Sequence, residues 1–301
     1  MAAQETLQAV AVIGAGLDLG AGRRGVDMGP SAIRYAGLQE RIERLGHPCA
    51  DWGDVAVAVA EATDVGDPRA RYLESIKRSC GRVASLVQDA RENGYLPLVL
   101  GGDHSIAIGT LGGLARAHGP GAVLWVDAHG DLNRPETSPT GNVHGMPLAA
   151  AFGAAGDAFR DEAWPTPSLE RAALIGVRSL DSGERELIRE LELQVFTMSD
   201  IDRGGLERAM TEALTYLQGA AFVHVSLDLD AVDPMIAPGV GTPVRGGFSY
   251  REAHLVAELV AESGLLDSLE LVEVNPVLDR ANETGLLAVE LAASALGARI
   301  L

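Results

Sequence analysis

Short apolar segments alternate with amphipathic segments along the chain, and this alternation is the feature that most limits its fold. Runs typical of buried strands cover residues 8–14, 96–100, 122–126, 173–177, 195–198, 222–227 and 269–274. Runs typical of helices cover residues 29–45, 67–93, a segment beginning near 105, 184–193, 206–217, 250–262 and 283–298. Repeated strand–helix alternation predicts a parallel sheet with helices on both faces. No linker or repeat interrupts the pattern, so we expect residues 1–301 to form a single domain.

Charge and cysteine content narrow the classes of function. The net charge is −18, from 24 basic and 42 acidic residues, which argues against nucleic acid and anionic membranes as partners. No apolar run approaches the roughly 18 residues that a membrane span needs. Cys49 and Cys80 are the only cysteines and lie far apart in the sequence, so a disulfide framework is excluded and a cytoplasmic location is expected.

Two acidic clusters follow buried-looking strands. They are Asp-Ala-His-Gly-Asp (127–131) and Ser-Leu-Asp-Leu-Asp (226–230). If the strands continue into the clusters, residues at i, i+2 and i+4 point to the same side. Several carboxylates and an imidazole aimed at one place repel each other unless a cation lies among them. A pair of divalent metal ions is the simplest such cation.

Charge balance supports two metals. Two divalent cations neutralise the four carboxylates, leaving His104 and His129 as neutral nitrogen ligands; the carboxylates are those of Asp127, Asp131, Asp228 and Asp230. Mixed oxygen and nitrogen ligands suit Mn²⁺ better than the thiolate-rich sets of structural zinc. Two metals about 3.5–4 Å apart can share a water and lower its pKa. The residues therefore predict a binuclear metallohydrolase but leave the bond it cleaves open, and a two-metal phosphoesterase remains an alternative.

Longer motifs around these clusters carry a resemblance to a known family. They are Gly-Gly-Asp-His-Ser (101–105), Asp-Ala-His-Gly-Asp-Leu-Asn (127–133), Gly-Asn-Val-His-Gly-Met-Pro (141–147), Ser-Leu-Asp-Leu-Asp-Ala-Val-Asp-Pro (226–234), Gly-Val-Gly-Thr-Pro-Val (239–244), Glu-Val-Asn-Pro (273–276) and the segment 22–34. With these motifs the chain resembles the arginases of the ureohydrolase family. The resemblance implies a three-layer αβα sandwich with a central, mostly parallel sheet, two Mn²⁺ ions per subunit, and hydrolysis of L-arginine to L-ornithine and urea.

The resemblance also implies roles for single residues. One metal would be held by His104, Asp127, Asp131 and Asp228, and the other by His129, Asp127, Asp228 and Asp230. Asp127 and Asp228 would bridge the two metals, and a bridging hydroxide would attack the guanidinium carbon. The catalytic residues would be Glu273, which orients the guanidinium, His144, which protonates the leaving amine, and Asp131.

Substrate contacts are implied mainly for the loop after the first cluster. Asn133, Thr140 and Asn142 would contact the α-carboxylate. Asp181 would take the α-amino group with Glu184 nearby through water, and Thr242 would lie close to the substrate head. Three residues depart from the family pattern: Thr140 stands where Ser is usual, Gly130 replaces a small side chain, and Arg134 replaces a small or polar residue.

The resemblance also bears on the oligomeric state, and two alternative functions remain open. Arginases form trimers or hexamers, so the resemblance implies a homotrimer or homohexamer; Arg251 and Glu252 match a position used in subunit contacts. The first alternative is a ureohydrolase for another guanidino compound, such as agmatine or 4-guanidinobutyrate. The second is a non-catalytic binding member of the fold, against which the intact ligand set, His144 and Glu273 argue.

Overall fold

One eight-stranded sheet forms the centre of the computed structural model, which describes residues 7–299. Its strands are β1 (Val10–Ala15), β2 (Cys49–Asp54), β3 (Leu96–Gly101), β4 (Gly121–Val126), β5 (Leu169–Val177), β6 (Gln194–Thr197), β7 (Val223–Asp228) and β8 (Ser268–Val272). Their order across the sheet is β2-β1-β3-β8-β7-β4-β5-β6, and every neighbouring pair is parallel. The predicted parallel sheet is confirmed.

Helices cover both faces of this sheet. They are α1 (Gly29–Tyr35), α2 (Leu38–Arg44), α3 (Leu73–Glu92), α4 (Ala107–His118), α5 (Pro147–Ala151), α6 (Ser182–Glu190), α7 (Met198–Gly204), α8 (Leu206–Leu217), α9 (Tyr250–Ser263) and α10 (Glu283–Ala295). Alternate residues of β1 enter two separate cores: Val10 and Val12 pack with α1, α2 and α7–α10, whereas Ala11 and Ile13 pack with α3–α6. The three-layer prediction is therefore confirmed. Within residues 7–299, no helix is long and apolar enough to cross a membrane.

Two local predictions are wrong and one strand was missed, each for a physical reason. The helix predicted over residues 29–45 is two helices, because Gly37 has a left-handed backbone with φ 89°. The helix predicted from residue 67 begins only at Leu73, after Tyr72, which is also left-handed with φ 57°. Strand β2 was not predicted; it lies at the sheet edge, where exposed Asp51 and Asp54 interrupt any apolar run.

Candidate functional site

The predicted site residues lie at the carboxyl ends of five adjacent strands. These strands are β3, β8, β7, β4 and β5, which are consecutive in the sheet but not in the sequence. The site residues at or just after the end of each strand are His104 (β3), Glu273 (β8), Asp228 and Asp230 (β7), Asp127, His129 and Asp131 (β4), and Asp181 and Glu184 (β5). The carboxyl edge of an open α/β sheet is where ligands bind, because all parallel strands end there.

Strand alternation does not explain how the two acidic clusters converge. Strand β4 ends at Val126, and Asp131 has a left-handed backbone with φ 52°. Strand β7 ends at Asp228, and Asp230 lies in a short 3-10 turn. The strands therefore do not continue through the clusters, which is the condition on which the period-2 prediction rested, yet the predicted residues do converge. Left-handed backbone costs a residue with a side chain about 1–2 kcal/mol, which tertiary contacts must offset.

A first group of possible metal ligands surrounds His104. Its Nδ1 atom lies 3.2 Å from Asp127 Oδ2, 3.0 Å from Asp131 Oδ2 and 3.3 Å from Asp228 Oδ2. All four side chains are buried, and among residues 7–299 the Nδ1 atom has no hydrogen-bond partner. A buried nitrogen without a partner, facing three carboxylates, fits a bound cation.

A second group shares Asp127 with the first. His129 Nδ1 lies 3.4 Å from Asp127 Oδ1 and 3.1 Å from Asp230 Oδ2. Asp127 thus presents one carboxylate oxygen to each group, as a carboxylate shared between two metals can. Asp228 presents its Oδ2 to the first group, and its Oδ1 accepts a hydrogen bond from Asp230 N at 2.7 Å.

The titration of these carboxyls reflects their crowding. Burial and the charge of Asp127 raise the pKa of Asp131 to about 6. Burial, together with Asp230 and Asp127, holds the pKa of Asp228 well above its usual range. Like charges in a dry site produce such shifts, and a divalent cation would reverse them. The donor set of aspartates and histidines without cysteine fits a metal that prefers oxygen and imidazole.

Three residues that orient the ligands were missed from the sequence. His104 Nε2 lies 2.6 Å from Ser226 Oγ, which in turn donates to Glu270 Oε1 at 2.7 Å. Since the Ser226 hydroxyl donates its proton to Glu270, its oxygen accepts the proton of His104 Nε2. The lone pair of His104 Nδ1 is then free to bind a metal. Trp125 stacks on His104 with ring centroids 4.1 Å apart and donates to Asp127 Oδ2 at 3.0 Å. Ser226 and Trp125 each lie two residues before a candidate ligand, a period-2 signal that could have found them.

A cavity of about 140 Å³ opens above both groups. The residues that line it include His144 and every predicted substrate contact except Glu273: Asn133, Thr140, Asn142, Asp181, Glu184 and Thr242. The structure therefore brings the metal-type and substrate-type residues to one place. Its volume suits part of a small molecule rather than a polymer.

Glu273 is connected to the cavity through His144. Its Oε1 atom lies 2.9 Å from His144 Nδ1 and accepts from His104 N at 3.1 Å. Its Oε2 atom is buried and has no partner among the described residues. Burial lowers the pKa of His144, but the hydrogen bond to Glu273 and the charges of Glu273, Asp103 and Asp131 together outweigh it and raise that pKa to about 9. A protonated imidazole thus stands beside a carboxylate oxygen that is free to accept.

The polar end of the cavity is held by hydrogen bonds between its own residues. Asn133 Nδ2 donates to Asp181 Oδ2 at 2.9 Å, so an amide and a carboxylate are fixed side by side. Glu184 accepts from Asp181 N at 2.7 Å and from Leu132 N at 3.2 Å, which joins helix α6 to the loop after β4. Burial raises the pKa of Glu184 to about 7.

The three departures from the family pattern occupy different environments. A Cβ atom at Gly130 would lie 3.0 Å from Glu184 Oε1, so glycine leaves room for that carboxylate. Arg134 does not line the cavity, and its Nη1 lies 3.8 Å from Glu190 on helix α6. Thr140 is exposed at the cavity rim, and its Oγ1 accepts from Asn142 N at 3.2 Å.

A parallel αβα fold with a buried Asp/His cluster beneath a small polar cavity defines a metal-dependent hydrolase of the α/β class. The sequence model of the arginase family matches residues 8–297. The arginase of Bacillus subtilis (strain 168) is 49% identical over 294 residues, which cover 97% of this chain and 99% of that protein. The chain belongs to the arginase family.

Solved structures agree with this assignment. The native structure of the arginase from Bacillus caldovelox matches with a TM-score of 0.94 at 48% identity, covering 98% of this chain and 100% of that one. The arginase of Entamoeba histolytica in complex with L-ornithine matches with a TM-score of 0.90 at 27% identity, covering 97% and 100%. The resemblance read from the motifs is confirmed at the level of fold and family.

Proposed function

We propose that the protein hydrolyses L-arginine to L-ornithine and urea with two Mn²⁺ ions. The observation that carries the proposal is the pair of Asp/His groups sharing Asp127 beneath a small polar cavity. Relatives that cover nearly the whole chain at 48–49% identity bear the name arginase, which supports the same activity.

The proposed metal ligands follow the two groups. His104, Asp127, Asp131 and Asp228 would hold one Mn²⁺, and His129, Asp127, Asp228 and Asp230 the other. When bound, the metals would lower the pKa of a shared water and supply the hydroxide nucleophile for attack on the guanidinium carbon. The divided contacts of Asp127 support its bridging role. Asp228 would be the second shared ligand, and its Oδ2 already faces His104 Nδ1 at 3.3 Å.

The chain's own groups would then bind the guanidinium and move protons. Glu273 Oε2 would pair with the guanidinium in a charge-assisted contact that orients it. His144 would protonate the leaving amine, and the pKa raised by Glu273 keeps that proton available at neutral pH. Asp131, whose Oδ2 lies 3.0 Å from His104 Nδ1, is the third proposed catalytic residue. Thr242 donates to Asp230 Oδ2 at 3.0 Å, which supports its place near the substrate head.

The amino-acid end of the substrate would lie at the polar end of the cavity. Asn133, Thr140 and Asn142 would contact the α-carboxylate, and Asp181 would take the α-amino group. The hydrogen bond between Asn133 and Asp181 supports a joint site for the two substrate charges. Glu184 would act through water, since its oxygens already accept two backbone protons.

A panel of guanidino substrates tests the proposal. Purified, Mn²⁺-loaded protein is expected to release urea from L-arginine far faster than from agmatine, which lacks the carboxylate, or from 4-guanidinobutyrate, which lacks the amino group. Urea from those compounds but not from L-arginine would favour the alternative ureohydrolase. No urea from any of them would favour the non-catalytic alternative.

Metal removal is expected to lower stability, and more so as the pH rises. In the metal-free fold the pKa of Asp131 is raised to about 6 from 3.8, so its contribution to stability is present below pH 4 and lost as pH rises through 6. Metal binding needs the ionised carboxylate and therefore reverses this trend. Metal at a thousandfold its Kd would add about 4 kcal/mol per site. Thermal unfolding with Mn²⁺ or with a chelator should show a gap in Tm that widens between pH 5 and 7.5; a constant gap would contradict the assignment.

The proposal extends to the oligomeric state, the cellular location and the domain organisation of the protein. We propose a homotrimer or homohexamer in the cytoplasm, built from a single domain over residues 1–301. Arg251 is exposed at the start of helix α9, which supports a place for it at a subunit surface; within the chain its guanidinium pairs with Glu258 at 3.0 Å. Cys49 and Cys80 are both free, which supports a reducing compartment.

A further inference from the structure

The cavity is strongly acidic, which raises the question of how it would hold a substrate carboxylate. Among the described residues its lining includes no lysine or arginine but five acidic side chains, of which three are proposed metal ligands that the cations would balance (Asp131, Asp228 and Asp230) and two are not (Asp181 and Glu184). The groups assigned above to the α-carboxylate are neutral amides and a hydroxyl. A carboxylate entering this cavity loses hydration, and the only cationic side chain that the described residues place in its wall is the His144 imidazole, which is already paired with Glu273.

Arg71 lies directly behind the loop that carries those neutral groups. Its backbone N–H donates to Gly141 O at 2.9 Å, and a Cβ atom at Gly141 would overlap Pro68 O. The segment preceding helix α3 is therefore packed against the loop. From this segment the Arg71 guanidinium reaches forward, and its Nη1 donates to Asn142 Oδ1 at 3.4 Å.

The charge of Arg71 is not committed to a carboxylate. Within residues 7–299, no Asp or Glu oxygen lies within 4.0 Å of its guanidinium, in a chain whose net charge is −18. Arg69, two residues earlier, is paired with Asp67 at 2.8 Å and is exposed. Arg71 is half-buried, so solvent screens its charge less than that of a fully exposed side chain.

The contact also determines which way the Asn142 amide points. A guanidinium can only donate, so the side of the amide that faces Arg71 must be the carbonyl oxygen. The amide NH₂ group then points away from Arg71, and its protons are polarised by the neighbouring positive charge. A polarised, fixed NH₂ group is a stronger donor to a carboxylate than a freely rotating one.

We propose that Arg71 is a specificity-determining positioning residue, which orients Asn142 and supplies the positive charge of the α-carboxylate subsite. This inference rests on the proposed function and extends it. Arg71 favours α-amino-acid guanidines over guanidines without a carboxylate, acting through Asn142 rather than through the reacting atoms.

The test compares Arg71→Ala with Arg69→Ala, which removes the same charge from the same segment. In Arg71→Ala, KM for L-arginine is expected to rise about tenfold with kcat within about twofold, as for loss of a charge-assisted contact made equally in the ground and transition states. The inhibition constant of L-ornithine should rise in parallel, whereas that of putrescine, which lacks the carboxylate, should stay unchanged. Arg69→Ala should resemble the parent protein, and Arg71→Lys should recover part of the loss. High salt should shrink the difference between parent and Arg71→Ala.

Failure of this inference is distinguishable from failure of the proposed function. If the parent hydrolyses L-arginine and Arg71→Ala changes KM no more than Arg69→Ala does, Arg71 has no part in the subsite and the proposed function stands. An equal rise in the inhibition constants of L-ornithine and putrescine would also overturn it, since that pattern reports general damage to the cavity. If the parent acts only on guanidines without a carboxylate, both proposals fall.

Discussion

Replacement of Asp230 by alanine is expected to lower kcat for urea release by a factor on the order of 10³ or more. Its Oδ2 lies 3.1 Å from His129 Nδ1 and accepts from Thr242, while its Oδ1 accepts from Ala128 N at 3.2 Å. The change therefore removes a proposed ligand of the second metal and loosens the turn that presents His129. Metal analysis of the dialysed variant should show about one Mn²⁺ per chain instead of two.

Asp233→Ala provides the matched control for this variant. Asp233 lies in the same loop and carries the same charge, but its carboxylate accepts from Met235 N and Gly246 N and belongs to neither ligand group. Its removal should lower Tm slightly and leave kcat and metal content close to the parent. Unchanged urea release in Asp230→Ala, with the protein folded, would mean that the second metal takes no part in the reaction.

Replacement of Glu273 by glutamine is expected to lower kcat/KM for L-arginine by about 10²–10³, the range for removing one charge from a buried hydrogen-bonded pair. The buried Oε2 atom has no partner among the described residues, so in our proposal the guanidinium is its partner. The glutamine keeps the size of the side chain and an acceptor for His104 N, but it loses the negative charge. Steady-state kinetics on the Mn²⁺-loaded variant measures the effect.

A ligand without a guanidinium serves as the control for Glu273→Gln. L-Ornithine would use the same carboxylate and amine contacts, so its inhibition constant should change little. The metal content should also remain that of the parent, because Glu273 is not a proposed ligand. A parallel rise in the inhibition constant of L-ornithine would show that Glu273 supports the cavity as a whole and does not pair with the guanidinium.

Much of the fold could be predicted because periodicity is a local property. The central strands β3, β4, β7 and β8 are buried on both faces and mostly apolar, as parallel strands are, although β7 and β8 also carry buried polar residues such as Ser226 and Glu270. Edge strand β2 was not predicted from the sequence, because a strand at the edge of a sheet does not need a continuous apolar run. The break between helices α1 and α2 at Gly37 was not predicted, because a single glycine is tolerated within a helical pattern. Only the packing decides whether the glycine adopts its left-handed conformation.

The site was predictable in its chemistry and less so in its geometry. Asp and His types at these spacings indicated a metal centre, since residues of this kind are costly to bury without a cation. The left-handed backbone of Asp131 and Glu273 carried no sequence signal, and it is this backbone that turns both side chains inward. The hydrogen bond between Asn133 and Asp181 was likewise invisible, because 48 residues separate them.

By itself, the sequence determined the αβα class and the family and predicted the types of metal ligand, since these depend on residue identity and on local period. Tertiary structure alone decided which residues meet. The order β3-β8-β7-β4-β5 brings Glu273 N within 2.8 Å of Gly102 O and so joins the first and last motifs of the site. Strand order is set by the packing of the whole sheet between its helices, and no local pattern encodes such long-range pairing.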